Sequence, residues 1–126
     1  MAFDWKTYVA WARTVQRPTA GTPSSEAVLR SALSRTYYGV FCYARNYARD
    51  WLNFKPRNDG DDHGRLRHHL KNRRRQGISD RLDRLRQRRN ACDYLDDLVF
   101  DPDAVLKAAL READFIFAGL VPPNNP

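Results

Sequence analysis

Arg89-Asn90-Ala91-Cys92-Asp93-Tyr94 places a guanidinium where a helical pattern asks for an apolar side chain. The apolar positions before it, Leu82 and Leu85, set the next inward positions at 89 and 92, and the chain supplies Arg89 and then Cys92. A guanidinium turned inward needs a carboxylate, a phosphate or a second subunit to satisfy it. Asp93, one turn on, offers an intrahelical ion pair, in the less favourable Arg-to-acid order.

Around this hexapeptide the charge is concentrated. Residues 65–89 hold 11 of the 22 Lys and Arg against Asp80 and Asp83 alone, while the rest of the chain carries 11 against 13 carboxylates. The whole excess of +7 therefore comes from one segment, and Lys71, Arg73, Arg74 and Arg75 with Arg81, Arg84, Arg86 and Arg88 form the electrostatic footprint expected of an anion-binding surface. A second basic set, Arg35, Tyr38, Cys42, Arg45 and Arg49, steps by three and four along an earlier segment. That spacing gives a basic-aromatic stripe on one helix face, suited to phosphate or to water.

Other chemistries lack their residues. Cys42 and Cys92 have no CxxC spacing and read as reduced packing residues. His63, His68 and His69 have no cysteine beside them, and adjacent histidines diverge by about 100° on a helix, so no metal site and no cofactor is expected. Neither a Ser/His/Asp set nor a phosphate-cradling glycine loop is present. The apolar runs are too short to span a bilayer and the first residues do not read as a leader, so the expectation is a cytoplasmic protein with no membrane partner.

The elements that must position these side chains are helices. A chain of 126 residues, 42% hydrophobic and 12% aromatic, suits one domain that still gains from oligomerisation. Trp5, Tyr8, Val9, Ala12 and Val15 mark a first amphipathic helix behind Asp4, ending near the turn-rich residues 17–25. Thr22-Pro23 then reads as N-cap and first position of a long core helix reaching about Leu52, with Leu29, Leu33, Tyr37, Val40, Ala44, Tyr47 and Trp51 inward. Residues 53–62 form a loop, and a third helix runs from about His63 to Arg74. Gln76-Gly77 breaks it, and Ser79 caps a fourth helix with Leu82, Leu85, Arg89 and Cys92 inward. Asp101-Pro102 starts a fifth that buries Leu106, Ala109, Leu110, Ala113, Phe117 and Leu120, before a proline-rich, disordered tail over 121–126. The fold class expected is all-α: a single-domain antiparallel bundle of about five helices, with its core over residues 4–120.

Ser34-Arg35-Thr36-Tyr37-Tyr38-Gly39-Val40-Phe41, His63-Gly64, the hexapeptide at 89–94 and the alanine-rich closing helix over 104–118 occur in an order that resembles an uncharacterised prokaryotic branch of the HEPN superfamily of small helical bundles. The similarity spans roughly residues 24–119. The resemblance implies a homodimer joined through the long helices and, in many members, a metal-independent endoribonuclease of toxin-antitoxin, phage-defence or CRISPR-linked systems. Other members are non-catalytic partners of a minimal nucleotidyltransferase, which in some pairs modifies a tyrosine beside this motif; Tyr94 is the nearest candidate.

Under the resemblance, Arg89, Asn90, Asp93 and Tyr94 are the candidate catalytic residues, with Arg89 on the scissile phosphate. The candidate RNA-binding residues are Arg35, Tyr38, Arg45, Arg67, Lys71, Arg73, Arg74, Arg75, Arg84 and Arg88. The sequence departs from the ribonuclease signature at one point: where a histidine is expected about five residues after the arginine, it holds Tyr94. A tyrosine with a reference pKa of about 10 is ionised in roughly one molecule in a thousand at neutral pH, which makes it a poor proton acceptor for attack by a ribose 2′-hydroxyl.

Overall fold

Apolar side chains spaced by three and four along the sequence line up in the computed structural model as five helices, which describes residues 2–16 and 25–123. They are α1 (Lys6–Val15), α2 (Glu26–Trp51), α3 (Asp62–Asn72), α4 (Gln76–Tyr94) and α5 (Pro102–Gly119), with no strand among the described residues. The 26-residue α2 is the spine: α1, α4 and α5 all pack on it, and α3 packs chiefly on α4. The protein is a small all-α helical bundle.

Local chemistry sets the helix ends. Asp4 accepts the Lys6 N–H at 3.0 Å and opens α1. Ser25 in extended conformation accepts the Val28 N–H and opens α2. That start lies three residues beyond the expected Thr22-Pro23 cap, which falls outside the described residues. Asp101 accepts the Asp103 N–H, and Pro102 takes the first position of α5, as the sequence reading expects. Residues 121–123 follow that helix, and the rest of the expected tail lies outside the described residues.

Two further boundaries differ from the expectation. The break between α3 and α4 lies at Arg73–Arg75 rather than at Gln76-Gly77: Arg74 takes φ 62°, its N–H reaches the Lys71 carbonyl, and the Arg75 N–H reaches the Leu70 carbonyl at 2.8 Å. These are the two bonds of a Schellman motif, with arginine at the position glycine usually fills. With the turn closed there, α4 starts at Gln76 and Ser79 is no cap; it is buried in the first turns, its hydroxyl donating to the Arg67 carbonyl at 3.0 Å and tying α4 to α3.

The core runs along α2. Leu29, Leu33, Tyr37, Val40 and Ala44 are buried as expected, but at the far end Ala48 and Leu52 turn inward, Tyr47 is half-buried and Trp51 is 43% exposed. The loop after α2 causes the change, because the Phe54 N–H donates to the Ala48 carbonyl and the Phe54 ring buries on that side. In α5, Ile116 takes the buried place expected of Phe117, whose half-buried ring meets Tyr43 edge-on. Gly39 lets α1 cross closely: a β-carbon there would lie 2.7 Å from the Trp5 carbonyl oxygen.

Candidate functional site

Arg89 is half-buried on α4, as its out-of-pattern position implies, and its guanidinium carbon stands 5.0 Å from the centre of the Tyr37 ring on α2. Its Nε is buried without a hydrogen-bond partner among the described residues. The ion pair with Asp93 does not form: Asp93 accepts the Ser34 hydroxyl at 3.2 Å instead, and Arg89 has no carboxylate within ion-pair distance among the described residues. A cation held partly out of water and lacking an anion is uncommon unless an external anion completes it.

The groups nearest Arg89 extend this pattern. Tyr37 is 1% exposed, and its hydroxyl is hydrogen-bonded to His63 Nδ1, brought in at the start of α3. The His63 ring stacks on Phe41 with centroids 4.0 Å apart and lies over Tyr37 at 5.6 Å. Burial pushes the Tyr37 hydroxyl up to about 12 against the pull of Arg89, Arg67 and Arg86, so it stays a neutral phenol. Burial also lowers the proton affinity of His63, and Arg89, Arg86 and Arg67 lower it further while Asp62 opposes them. Three guanidiniums therefore act on one imidazole. Arg86 has no ion pair among the described residues, and Arg67 has one, from Nε to Asp83 at 3.6 Å, with its Nη1 buried and unpartnered.

The elements hold this arrangement from both sides. At the end of α4, Arg30 of α2 donates to the carbonyls of Cys92, Leu95 and Asp96 at 3.1, 2.6 and 2.9 Å, and its Nε pairs with Glu26 at 3.1 Å. At the start of α3, the buried Asp62 accepts the N–H groups of Arg57 and Asn58 and a guanidinium N–H of Arg65. Burial alone would raise the Asp62 pKa, but these donors hold it below the ordinary carboxylate range. Neither Arg30 nor the Tyr37–His63 pair stands out in the sequence reading. Partners 62 to 66 positions apart leave no local spacing signal; the one available hint is that His63 follows directly on Asp62, a helix-start residue.

The remaining candidates divide. Asn90 is half-buried beside Arg89, but Tyr94 is 75% exposed rather than a packed ring, and five residues of helix turn it about 140° from Arg89. Lys71, Arg73 and Arg74 are exposed, with side chains that make no ion pair among the described residues. Others have internal partners: Arg75 donates to the Arg73 carbonyl, Arg84 pairs with Glu112 at 2.7 Å, and Arg88 lies over Phe100. The α2 stripe is partly covered by α1, since Arg35 lies over Tyr8, Arg45 over Trp5, and Tyr38 meets Trp5 edge-on at 5.5 Å. Cys42 within it is fully buried, and both cysteines are free, with burial raising both thiols and taking Cys92 to about 11.

The histidines do not converge. His69 donates from Nε2 to the Leu52 carbonyl at 2.6 Å and His68 meets Asn72, both away from the Tyr37 hydroxyl that holds His63. No helix among the described residues is long and apolar enough to cross a membrane. Compared with family models, with curated proteins and with solved structures, the chain matches none.

Proposed function

We propose that this chain is a HEPN-type, RNA-binding bundle that acts as a homodimeric endoribonuclease without a metal, with Arg89 on the phosphate. The observation that carries the reading is the half-buried Arg89 guanidinium, which has no carboxylate partner among the described residues and shares its surroundings with Arg67 and Arg86. A phosphodiester supplies the missing anion and accepts the free N–H groups, with the exposed Lys71, Arg73 and Arg74 available to the same backbone. Flexible single strands suit such a site, since their phosphates and bases can turn toward it. Incubating the protein with single-stranded RNA in chelator tests it. Wild type is expected to bind and cut the strand, Arg89→Ala to bind it more weakly and not to cut it with its fold intact, and equal binding and cutting by both proteins would remove the idea.

One observation favours a second reading. Tyr94 is 75% exposed at the end of α4, and its hydroxyl has no protein partner among the described residues, so it is open to a modifying enzyme. On this reading the chain partners a minimal nucleotidyltransferase that modifies Tyr94. The two proteins would co-purify, and nucleotide transfer onto wild type but not onto Tyr94→Phe would identify the acceptor.

A further inference from the structure

We propose that His63, held through Nδ1 by the Tyr37 hydroxyl, is the proton acceptor of the Arg89 site, taking the proton from the ribose 2′-hydroxyl of a bound RNA strand. The inference rests on the RNA-binding reading above and adds the group that Tyr94 does not provide. Three features carry it. The ring is fixed by its stack on Phe41 and its bond to Tyr37, and Nε2 has no hydrogen-bond partner among the described residues. The same Tyr37 whose hydroxyl holds His63 has its ring centre 5.0 Å from the Arg89 guanidinium carbon, so acceptor and phosphate-binding cation each contact one aromatic side chain. The charged and titratable groups acting on the imidazole are Arg67 and Asp62 of α3, Arg86 and Arg89 of α4, and Tyr37 of α2. Four of these keep the ring neutral near pH 7 or leave it so, and only Asp62, committed to Arg57, Asn58 and Arg65, favours the proton.

A neutral imidazole with one nitrogen oriented and the other open is the arrangement a general base requires. With Nδ1–H donated to the Tyr37 oxygen, Nε2 takes the 2′-hydroxyl proton as O2′ attacks phosphorus. The P–O5′ bond then breaks, its electron pair leaves on O5′, and the imidazolium returns the proton to that oxygen. The products are a 2′,3′-cyclic phosphate and a 5′-hydroxyl, with no water, metal or oxidant consumed. Arg89 and Arg86 meet the charge that builds on the phosphorane. Tyr37 acts through His63 and is a positioning residue.

The experiment follows binding and cleavage of one single-stranded oligoribonucleotide in chelator from about pH 5 to 8, with product ends resolved. Wild type is expected to leave cyclic-phosphate ends, with activity falling on the acid side below pH 6.5. His63→Gln is expected to bind RNA as wild type does and to cleave roughly 10² to 10⁴ times more slowly. His63→Phe keeps the stack on Phe41 and separates lost packing from lost chemistry; it too is expected to bind and not to cleave. Arg86→Ala shifts the acid limb upward, toward pH 6.5, and Tyr37→Phe changes the pH profile where a merely structural tyrosine would change stability alone. Cleavage by His63→Phe at the wild-type rate overturns the assignment. RNA bound by wild type but left intact at every pH overturns it too and leaves the binding reading standing. No binding by wild type overturns both.

Discussion

The Arg89 guanidinium adds little net stability to the fold. Leaving its buried Nε unpaired costs about 1–3 kcal/mol, while its contact with the Tyr37 ring returns about 0.5–2 kcal/mol, so the native residue is close to neutral or a net burden. Arg89→Met, which keeps an unbranched apolar stem along the inward face of α4, is therefore expected to raise stability by about 1 kcal/mol in urea unfolding while RNA binding is weakened. A loss of stability would mean that the guanidinium is a structural group. His63 adds a pH signature. Its folded proton affinity lies below the ordinary value of 6.5, so the unfolded chain binds the proton first as pH falls. The stability tied to neutral His63 is present above pH 6.5 and is lost as pH drops from there toward the lower folded value. His63→Phe should flatten the unfolding free energy in that window, measured by urea titrations at successive pH values.

At the scale of elements, the turn between α3 and α4 decides how the basic residues are presented. Arg74 occupies the left-handed position of the Schellman motif at φ 62°, where a β-carbon is strained and glycine is not. Arg74→Gly is expected to stabilise the bundle by about 0.5–1 kcal/mol, read as a higher urea midpoint at unchanged slope, and to weaken RNA binding through the lost charge. At Arg74 charge is kept although glycine would suit the backbone better, and at Arg89 it is kept although an apolar side chain would suit the inward face of α4. This turn also marks the limit of what local pattern reveals. Caps and prolines with a clear side-chain mechanism, such as Asp101-Pro102, are legible, whereas Gln76-Gly77 looks like a break and is helical because the turn is already closed by Arg73–Arg75.

Across the whole molecule, the excess of +7 sits on α3, α4 and the Arg73–Arg75 turn between them, and α2 carries the aromatic platform that joins them. The helical architecture was readable because burial repeats every three or four residues, and Arg89 was readable because it interrupts that repeat. The histidine was not, since its bond to Tyr37 spans 26 positions and exists only once α3 lies beside α2. Nor was the fate of individual arginines: Arg84 and Glu112 are 28 residues apart, and α1 covers part of a stripe that looks open when α2 is read alone. The homodimer implied by the family resemblance is checked by light scattering, where twice the 14.7 kDa chain mass is expected and a strictly monomeric mass would count against it.

The most direct test is the salt dependence of single-stranded RNA binding by wild type and Arg89→Ala. Wild-type affinity is expected to fall linearly with the logarithm of salt, and Arg89→Ala to bind more weakly with a slope reduced by about 1, the mark of one phosphate contact removed. Identical affinities and slopes for the two proteins would contradict the account.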